Sequence, residues 1–248
     1  MKKIITIASM LVLFVYLTNC EGDEEVATPN ARIVSLLDKG GGIRFEWDPV
    51  DGADGYRVRV DGVLKYEGQN TYFEWREPAK KISIFAYAGD KESIAKTFDF
   101  TPVLTQNLEV WDATDPDPNH PSYVKFVEGT AIAVSVVNKE EAWMLFNEDL
   151  LRTNNHNNPN IDAAFSPISG DFDAENFIAP KEGNYETGVA ANQGAMYYMW
   201  FEFSPIDNVI GPNDHFGKIK IVNKDGLKYT VKIYFQKYPG LRWLKTGE

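Results

Sequence analysis

The sequence predicts an all-β protein. Short runs that alternate apolar and polar residues recur along the chain, turns rich in Gly, Asp and Pro separate them, and helical periodicity is scarce. Strict alternation is typical of strands that bury one face. Aromatic residues make up 13% of the chain and charged residues 25%, which is the composition of a folded protein with hydrophobic cores.

Residues 1–19 have the pattern of a secretory signal peptide. Lys2 and Lys3 precede an apolar stretch that ends at Tyr16, and this stretch is shorter than the roughly 20 residues that a membrane-spanning helix needs. The segment Leu17–Cys20 resembles the bacterial lipobox and contains the single cysteine of the chain. The resemblance implies that Cys20 is acylated and becomes the first mature residue. The alternative is an ordinary signal peptide with an incidental cysteine.

The net charge of −11 limits the partners of the protein. It argues against binding to nucleic acid and to anionic lipid, so we expect the lipid on Cys20 to provide the membrane attachment. Residues 20–30 are predicted to form an acidic tether. Its acidic run resembles the surface-export signal of Bacteroidetes lipoproteins, which implies a lipid-anchored protein of the outer membrane, exposed on the cell surface.

Residues 31–102 are predicted to form a first β module. Its predicted strands are Ile43–Trp47, Tyr56–Val60, Thr71–Trp75 and Ile82–Tyr87. Asp61-Gly62 is typical of a two-residue hairpin turn. The segment 47–58, WDPVDGADGYRV, resembles the start of a fibronectin type III domain. That resemblance implies a two-sheet sandwich with Trp47 in its core.

Residues 103–248 are predicted to form a larger antiparallel β domain. The clearest predicted strands are Met199–Phe203, Gly217–Val222 and Tyr229–Tyr234, and the segment 223–226 between the last two is a hairpin signal. The pattern of residues 140–151 fits a helix, although residues 142–146 fit a strand nearly as well. Residues 154–192 are rich in Asn, Pro, Asp and Gly and are predicted to be a long loop region.

Several segments of this larger domain, taken together, resemble the HmuY family of haem-binding lipoproteins. The order and spacing agree over residues 123–240, and the matching segments are WMLFN at 143–147, LRTN at 151–154, DFDA at 171–174, APKEGNY at 179–185, WFEFS at 200–204 and the closing hairpin at 217–238. The resemblance implies an all-β lipoprotein that holds haem between loops at one end and passes it to a TonB-type outer-membrane receptor.

The haem ligands that this resemblance implies are replaced in the present chain. Family members that use histidine have one ligand directly after the WxEFS run, where this chain has Pro205, and another in an insertion that is shorter here and lacks histidine. Met and His side chains ligate haem iron. The candidate ligands are therefore Met196, Met199 and His215, while core packing is the alternative role of the two methionines.

The sequence contains no signature of catalysis. It lacks a nucleophile elbow, a phosphate-binding loop and a dinucleotide-binding motif, so we expect no enzymatic activity. Three dispersed histidines do not have the spacing of a zinc site. Asp112, Asp115 and Asp117 have the composition of a calcium loop, but the glycine and the distal glutamate are missing, which favours a solvated linker.

Two other functions remain open from the sequence. The protein could bind a glycan or another protein through flat aromatic side chains, for which the candidates are Tyr123, Trp143, Trp200 and Trp243. It could also have a structural or adhesin-like role in which the first module is a spacer.

Overall fold

The structure is a computed structural model that describes residues 25–173, 178–203 and 206–246. It is nearly all β, and in these ranges the helical segment is a 3₁₀ helix at Val136–Glu141. None of the described residues belongs to a helix long and apolar enough to cross a membrane. The predicted all-β fold class is therefore confirmed.

The strands of the first module form two antiparallel sheets. They are β1 (Arg32–Leu37), β2 (Gly42–Glu46), β3 (Gly55–Val60), β4 (Val63–Gly68), β5 (Tyr72–Trp75), β6 (Lys81–Ala88), β7 (Lys91–Glu92) and β8 (Lys96–Asp99). One sheet has the order β1-β2-β5, and the other has the order β4-β3-β6, with β7 and β8 also paired to β6. All four strands predicted here are confirmed.

The predicted hairpin turn at Asp61-Gly62 is also confirmed. Val60 pairs with Val63, and the two turn residues have φ of 47° and 81°. Positive φ at both central residues is the geometry that favours Gly in a two-residue turn. Trp47 is 3% exposed and packs edge-on against Tyr56 in the core between the sheets, as expected.

The strands of the larger domain also form two antiparallel sheets. They are β9 (Val103–Trp111), β10 (Tyr123–Val127), β11 (Thr130–Val134), β12 (Met144–Asn147), β13 (Leu150–Thr153), β14 (Ile161–Pro167), β15 (Gly188–Ala190), β16 (Met196–Phe203), β17 (His215–Asp225) and β18 (Lys228–Phe235). The sheet orders are β11-β10-β12-β13-β15 and β14-β16-β17-β18-β9. Side chains from both sheets form one hydrophobic core. The three late strands that the sequence predicts are confirmed.

The predicted helix at 140–151 is wrong, and the strand alternative is correct. Met144 and Phe146 alternate into the core on β12, and Glu148 and Asp149 turn the chain with φ of 54° and 60°. The burial of alternate side chains outweighs the local helix propensity. The predicted loop region 154–192 is wrong in part, because it contains β14 and β15.

The end of the chain packs against the first module. Leu241 and Trp243 are fully buried in the core of that module. The indole Nε1 of Trp243 donates a hydrogen bond to the carbonyl of Gly41 at 2.9 Å, and the guanidinium of Arg242 donates to the carbonyl of Lys39 at 2.7 Å. The two modules are therefore joined by buried contacts between residues far apart in sequence.

Candidate functional site

The three predicted haem ligands lie on two neighbouring strands of the larger domain and do not converge. In the pairing of β16 with β17, Phe201 lies opposite His215, while Met196 lies opposite Lys220. Five residues along a strand span roughly 17 Å. Met196 and His215 therefore lie too far apart to coordinate the same iron atom.

The two methionines occupy different environments. Met199 is fully buried in the hydrophobic core, where its Cε lies 2.5 Å from the position that a Cβ on Gly217 would take. Met196 is half-buried and lies on the other face of β16, because successive residues of a strand point to opposite faces. Core packing therefore accounts for Met199, and neither methionine lines the cavity at His215.

His215 begins β17 and lies among aromatic rings. Its imidazole stacks on Phe235, with ring centroids 5.3 Å apart, and meets the edge of Phe203 at 5.5 Å and the ring of Trp143 at 5.9 Å. Its Nδ1 lies 3.3 Å from the carbonyl oxygen of Gln236. A carbonyl accepts but does not donate, so Nδ1 carries the proton and Nε2 has the lone pair.

The environment of His215 keeps the imidazole neutral. Burial lowers its pKa from the ordinary value of 6.5, against smaller opposing effects of the Gln236 carbonyl and the Asp214 carboxylate. The neutral imidazole is the form that ligates metals, and ligating histidines usually donate the other ring N–H to a carbonyl or carboxylate. The hydrogen-bonding arrangement at His215 is therefore that of a metal-ligating histidine.

His215 lines a cavity of about 450 Å³ with predominantly aromatic walls. Phe126, Trp143, Phe235 and Tyr238 form these walls, and the lining also includes the exposed residues Glu128 and Lys237. Cavities that bind small ligands have about this size and are lined by apolar side chains with a few polar groups. The arrangement suits a flat, mostly apolar ligand.

Gly129 also lines this cavity. It lies between β10 and β11 with φ of 86°, in the left-handed region that favours glycine. A Cβ at this position would lie 2.8 Å from the Cγ2 of Val103 and 3.5 Å from the ring of Phe235. A larger residue here would therefore displace the side chain of Val103, whereas 3.5 Å is an ordinary contact distance to Phe235.

Two buried carboxylates fix the loop that precedes His215. Asp214 Oδ2 accepts hydrogen bonds from the Trp200 indole and from the Gly211 amide, both at 2.8 Å. Glu202 Oε1 accepts from the amides of Asp207 and Asn208 at 2.6 and 2.7 Å. Burial raises the pKa of both carboxyl groups. Sequence reasoning missed this pair, because nothing in the alternating pattern distinguishes a buried acid from an exposed one.

A second cavity, of about 620 Å³, has a polar lining beside the turn after β13. Asn147, Arg152, Asn155 and His156 are among its lining residues. The Nε of Arg152 is buried, and among the described residues it has no hydrogen-bond partner. Because this nitrogen is buried, a ligand in the cavity does not reach it, and the lining asparagines are the polar groups that the cavity offers.

Most of the aromatic residues proposed to stack on a glycan are inside the protein. Tyr123, Trp200 and Trp243 are 8%, 8% and 0% exposed, so they provide no stacking surface, and that hypothesis is wrong for these three. Trp143 is half-buried and lines the aromatic cavity. Alternation predicts which strand positions are apolar but not which rings remain accessible.

Cys20 and Pro205 lie outside the described part of the chain, as do the predicted signal peptide at 1–19, residues 21–24 of the predicted tether, and residues 174 and 204 of the segments that resemble the HmuY family. Within the described ranges, no group of three or more His, Cys, Asp and Glu side chains is arranged to hold a metal ion. The Asp112 segment, interpreted from the sequence as a solvated linker, is instead anchored by a fully buried Asp112.

The chain has a low-similarity structural neighbour among solved proteins. No family model and no curated protein matches it. It is similar to the crystal structure of a DUF4466 family protein from Parabacteroides merdae ATCC 43184, with 11% identity and a TM-score of 0.36, over 85% of this chain and 99% of that one. At this TM-score the similarity does not bear on function.

Proposed function

We propose that this protein is an HmuY-like, lipid-anchored surface lipoprotein that binds haem in the cavity at His215. The observation that carries the proposal is the neutral imidazole of His215, whose Nδ1–H donates to the Gln236 carbonyl at a position that lines an aromatic cavity. Histidine is a common axial ligand of haem iron, so His215 would hold the iron of a bound haem.

The other cavity residues fit the periphery of the same ligand. The rings of Phe126, Trp143 and Tyr238 offer apolar surface to a flat macrocycle. Lys237 is an exposed lining residue whose ammonium group would pair with a ligand carboxylate, whereas Glu128 would repel one. The proposed site therefore depends on His215, and Met196 and Met199 have no part in it.

We propose that lipid on Cys20 anchors the protein in the outer membrane. The lipobox-like segment supports acylation of Cys20 after removal of residues 1–19, and residues 20–30 would hold the folded modules away from the outer membrane. A TonB-type outer-membrane receptor is then the partner that would receive haem. Replacing Cys20 by Ser tests the anchor: labelled palmitate is no longer incorporated, and the protein leaves the membrane fraction.

An absorbance titration of the full chain with haemin, in detergent, tests the site. We expect a shifted Soret band that saturates at one haemin per chain. His215→Ala weakens binding by about tenfold or more and changes the position of the band, because an axial ligand is lost. The matched control is His156→Ala, which removes a histidine from the polar cavity and leaves the spectrum unchanged.

Two results would contradict haem capture at His215. One is the absence of saturable binding by the unmodified chain. The other is an equal loss of affinity in both histidine variants, which would indicate non-specific adsorption of haemin to apolar surface.

The polar cavity supports a second candidate function, the binding of a surface glycan or a protein without haem. The amides of Asn147 and Asn155 suit a ligand rich in hydroxyl groups. Retardation in polysaccharide gels that is lost in Asn155→Ala, while haemin binding stays absent, would favour this function over the first.

A further inference from the structure

The fully buried side chain of Gln236 lies at the junction of the two modules. Gln236 follows β18, and its amide Nε2 donates hydrogen bonds to the carbonyl of Phe100, at the end of the first module, at 2.9 Å and to the carbonyl of Trp243 at 2.8 Å. The side chains of Phe100 and Trp243 both belong to the core of the first module. Gln236 therefore ties the larger domain to that core.

The partners of this amide fix its orientation. An amide nitrogen has two N–H donors, and both donate here to backbone carbonyls. The amide oxygen Oε1 accepts a hydrogen bond from the backbone N–H of Tyr238 at 3.1 Å. The reversed amide would set its oxygen against two carbonyl oxygens and its NH2 group against an N–H, so the arrangement allows a single orientation.

Gln236 also contacts two residues that line the His215 cavity. Its backbone carbonyl accepts from Nδ1 of His215 at 3.3 Å, which determines the ring nitrogen that has the lone pair. Its side chain accepts from the amide of Tyr238, whose ring lines the cavity and packs on the ring of Phe100 with centroids 4.9 Å apart. The same buried residue therefore contacts the first module, the imidazole and a wall of the cavity.

We infer that Gln236 is a positioning residue for the His215 cavity, through which the first module fixes the imidazole and the Tyr238 wall. Groups that are already held in the bound geometry cost less to order when a ligand binds, and partners behind a metal ligand orient it. The first module then contributes to the cavity and is more than a spacer. The inference rests on the proposed function for the identity of the ligand, whereas the positions of His215 and Tyr238 are testable without one.

NMR of the histidine rings tests the positioning without a ligand. The chain has three histidines, and the signal missing from His215→Phe is that of His215. In the full chain labelled with ¹⁵N-histidine, in detergent at about pH 8, where an ordinary imidazole is neutral, we expect His215 as the Nδ1–H tautomer. Gln236→Met keeps an unbranched side chain of similar length and loses the amide hydrogen bonds. We expect a mixture of both tautomers at His215 in this variant, because the carbonyl of residue 236 is no longer held in place.

Haemin titration then measures the effect on binding. We expect the affinity of Gln236→Met for haemin to fall about tenfold, with a displaced Soret band. The matched control is Asp112→Ala, which removes buried hydrogen bonds at the other end of the β17–β18 pair. Its midpoint of urea denaturation falls, while its His215 tautomer is unchanged and its haemin affinity stays within about twofold.

A milder variant covers the case in which Gln236→Met does not fold. Gln236→Asn carries the amide on a shorter side chain, and we expect a smaller shift towards the second tautomer. An unchanged tautomer in a folded Gln236 variant of reduced stability would overturn the inference, as would an equal shift in Asp112→Ala. If the unmodified chain binds no haemin, the proposed function fails, while a tautomer shift confined to the Gln236 variants still supports the positioning role.

Discussion

Buried polar groups at the two ends of the β17–β18 pair differ in how fully they are hydrogen-bonded. At the hairpin end, fully buried Asp112 accepts hydrogen bonds from the amides of Thr114, Glu148 and Asp149, at 2.9–3.0 Å, and from the Thr114 hydroxyl at 2.7 Å. We call these residues, with Tyr229, the Asp112 cluster. At the other end, His215 makes one long hydrogen bond and faces a cavity.

This difference separates a structural group from a binding group. Every oxygen of Asp112 is occupied by donors of the protein, so the carboxylate joins β9, the β12–β13 turn and β18 and has no capacity for a ligand. His215 has a lone pair on Nε2 at a position that lines an aromatic cavity. Removal of Asp112 should therefore affect stability, and removal of His215 should affect binding.

The largest expected effect is that of Asp112→Ala. The substitution leaves several buried donors without an acceptor, and each such group costs about 1–3 kcal/mol. We expect the free energy of unfolding to fall by about 3–5 kcal/mol, measured by urea denaturation. Asp117→Ala, at an exposed position that caps the neighbouring amide of Asn119, is the control and should cost about 1 kcal/mol or less.

The same cluster predicts a loss of stability in acid. Burial raises the pKa of Asp112, but the amides of Asp149, Thr114 and Glu148 and the Thr114 hydroxyl outweigh burial, and the pKa is lowered from its ordinary value of 3.8. A lowered pKa means that the unfolded chain takes up the proton first, so stability falls as the pH drops from about 4 towards the folded pKa. Asp112→Asn should flatten this part of the stability curve, whereas an unchanged curve would contradict the role of Asp112.

The sequence predicts the strands and turns around these sites better than it predicts the sites themselves. The sequence locates seven of the described strands, namely β2, β3, β5, β6, β16, β17 and β18, and the turn at Asp61-Gly62 is confirmed. The bounds of β17 and β18 differ from the prediction, because β17 continues beyond Val222 to Asp225 and the turn falls at Gly226-Leu227, between paired Asp225 and Lys228. These features depend on local backbone preference and on a two-residue period, both of which can be read along the chain.

The functional groups depend on contacts between distant residues, which the sequence pattern does not contain. Asp112 is hydrogen-bonded to residues about 36 positions away, and His215 is positioned by Trp143, Phe235 and Gln236. The chemistry of its side chain alone predicts His215 as one of three candidate ligands. The register of β16 with β17 is what shows that Met196 lies far from His215 along the sheet.

A smaller effect is expected from Tyr229→Phe in the Asp112 cluster. The hydroxyl of Tyr229 donates to Asp149 at 3.0 Å and lies 3.4 Å from Asp112, while its ring stacks on Phe146 at 4.6 Å. Phenylalanine keeps the stacking and loses the hydrogen bond, so we expect a loss of about 1–2 kcal/mol in urea denaturation. A loss as large as that of Asp112→Ala would mean that the tyrosine hydroxyl, not the amides, holds the cluster together.

The smallest effect on stability is expected from His215→Phe at the open end. Phenylalanine retains an aromatic ring beside Phe235 and gives up one hydrogen bond to the Gln236 carbonyl, so the free energy of unfolding should change by about 1 kcal/mol or less at neutral pH. The pKa of His215 is lowered, so the unfolded imidazole takes up a proton first, and the unmodified protein loses stability as the pH falls below about 6.5. His215→Phe lacks this loss, and urea denaturation at pH 7.5 and pH 5.5 measures the difference. A loss of 3–5 kcal/mol at neutral pH would place His215 with the structural groups and remove the distinction between the two ends of the sheet.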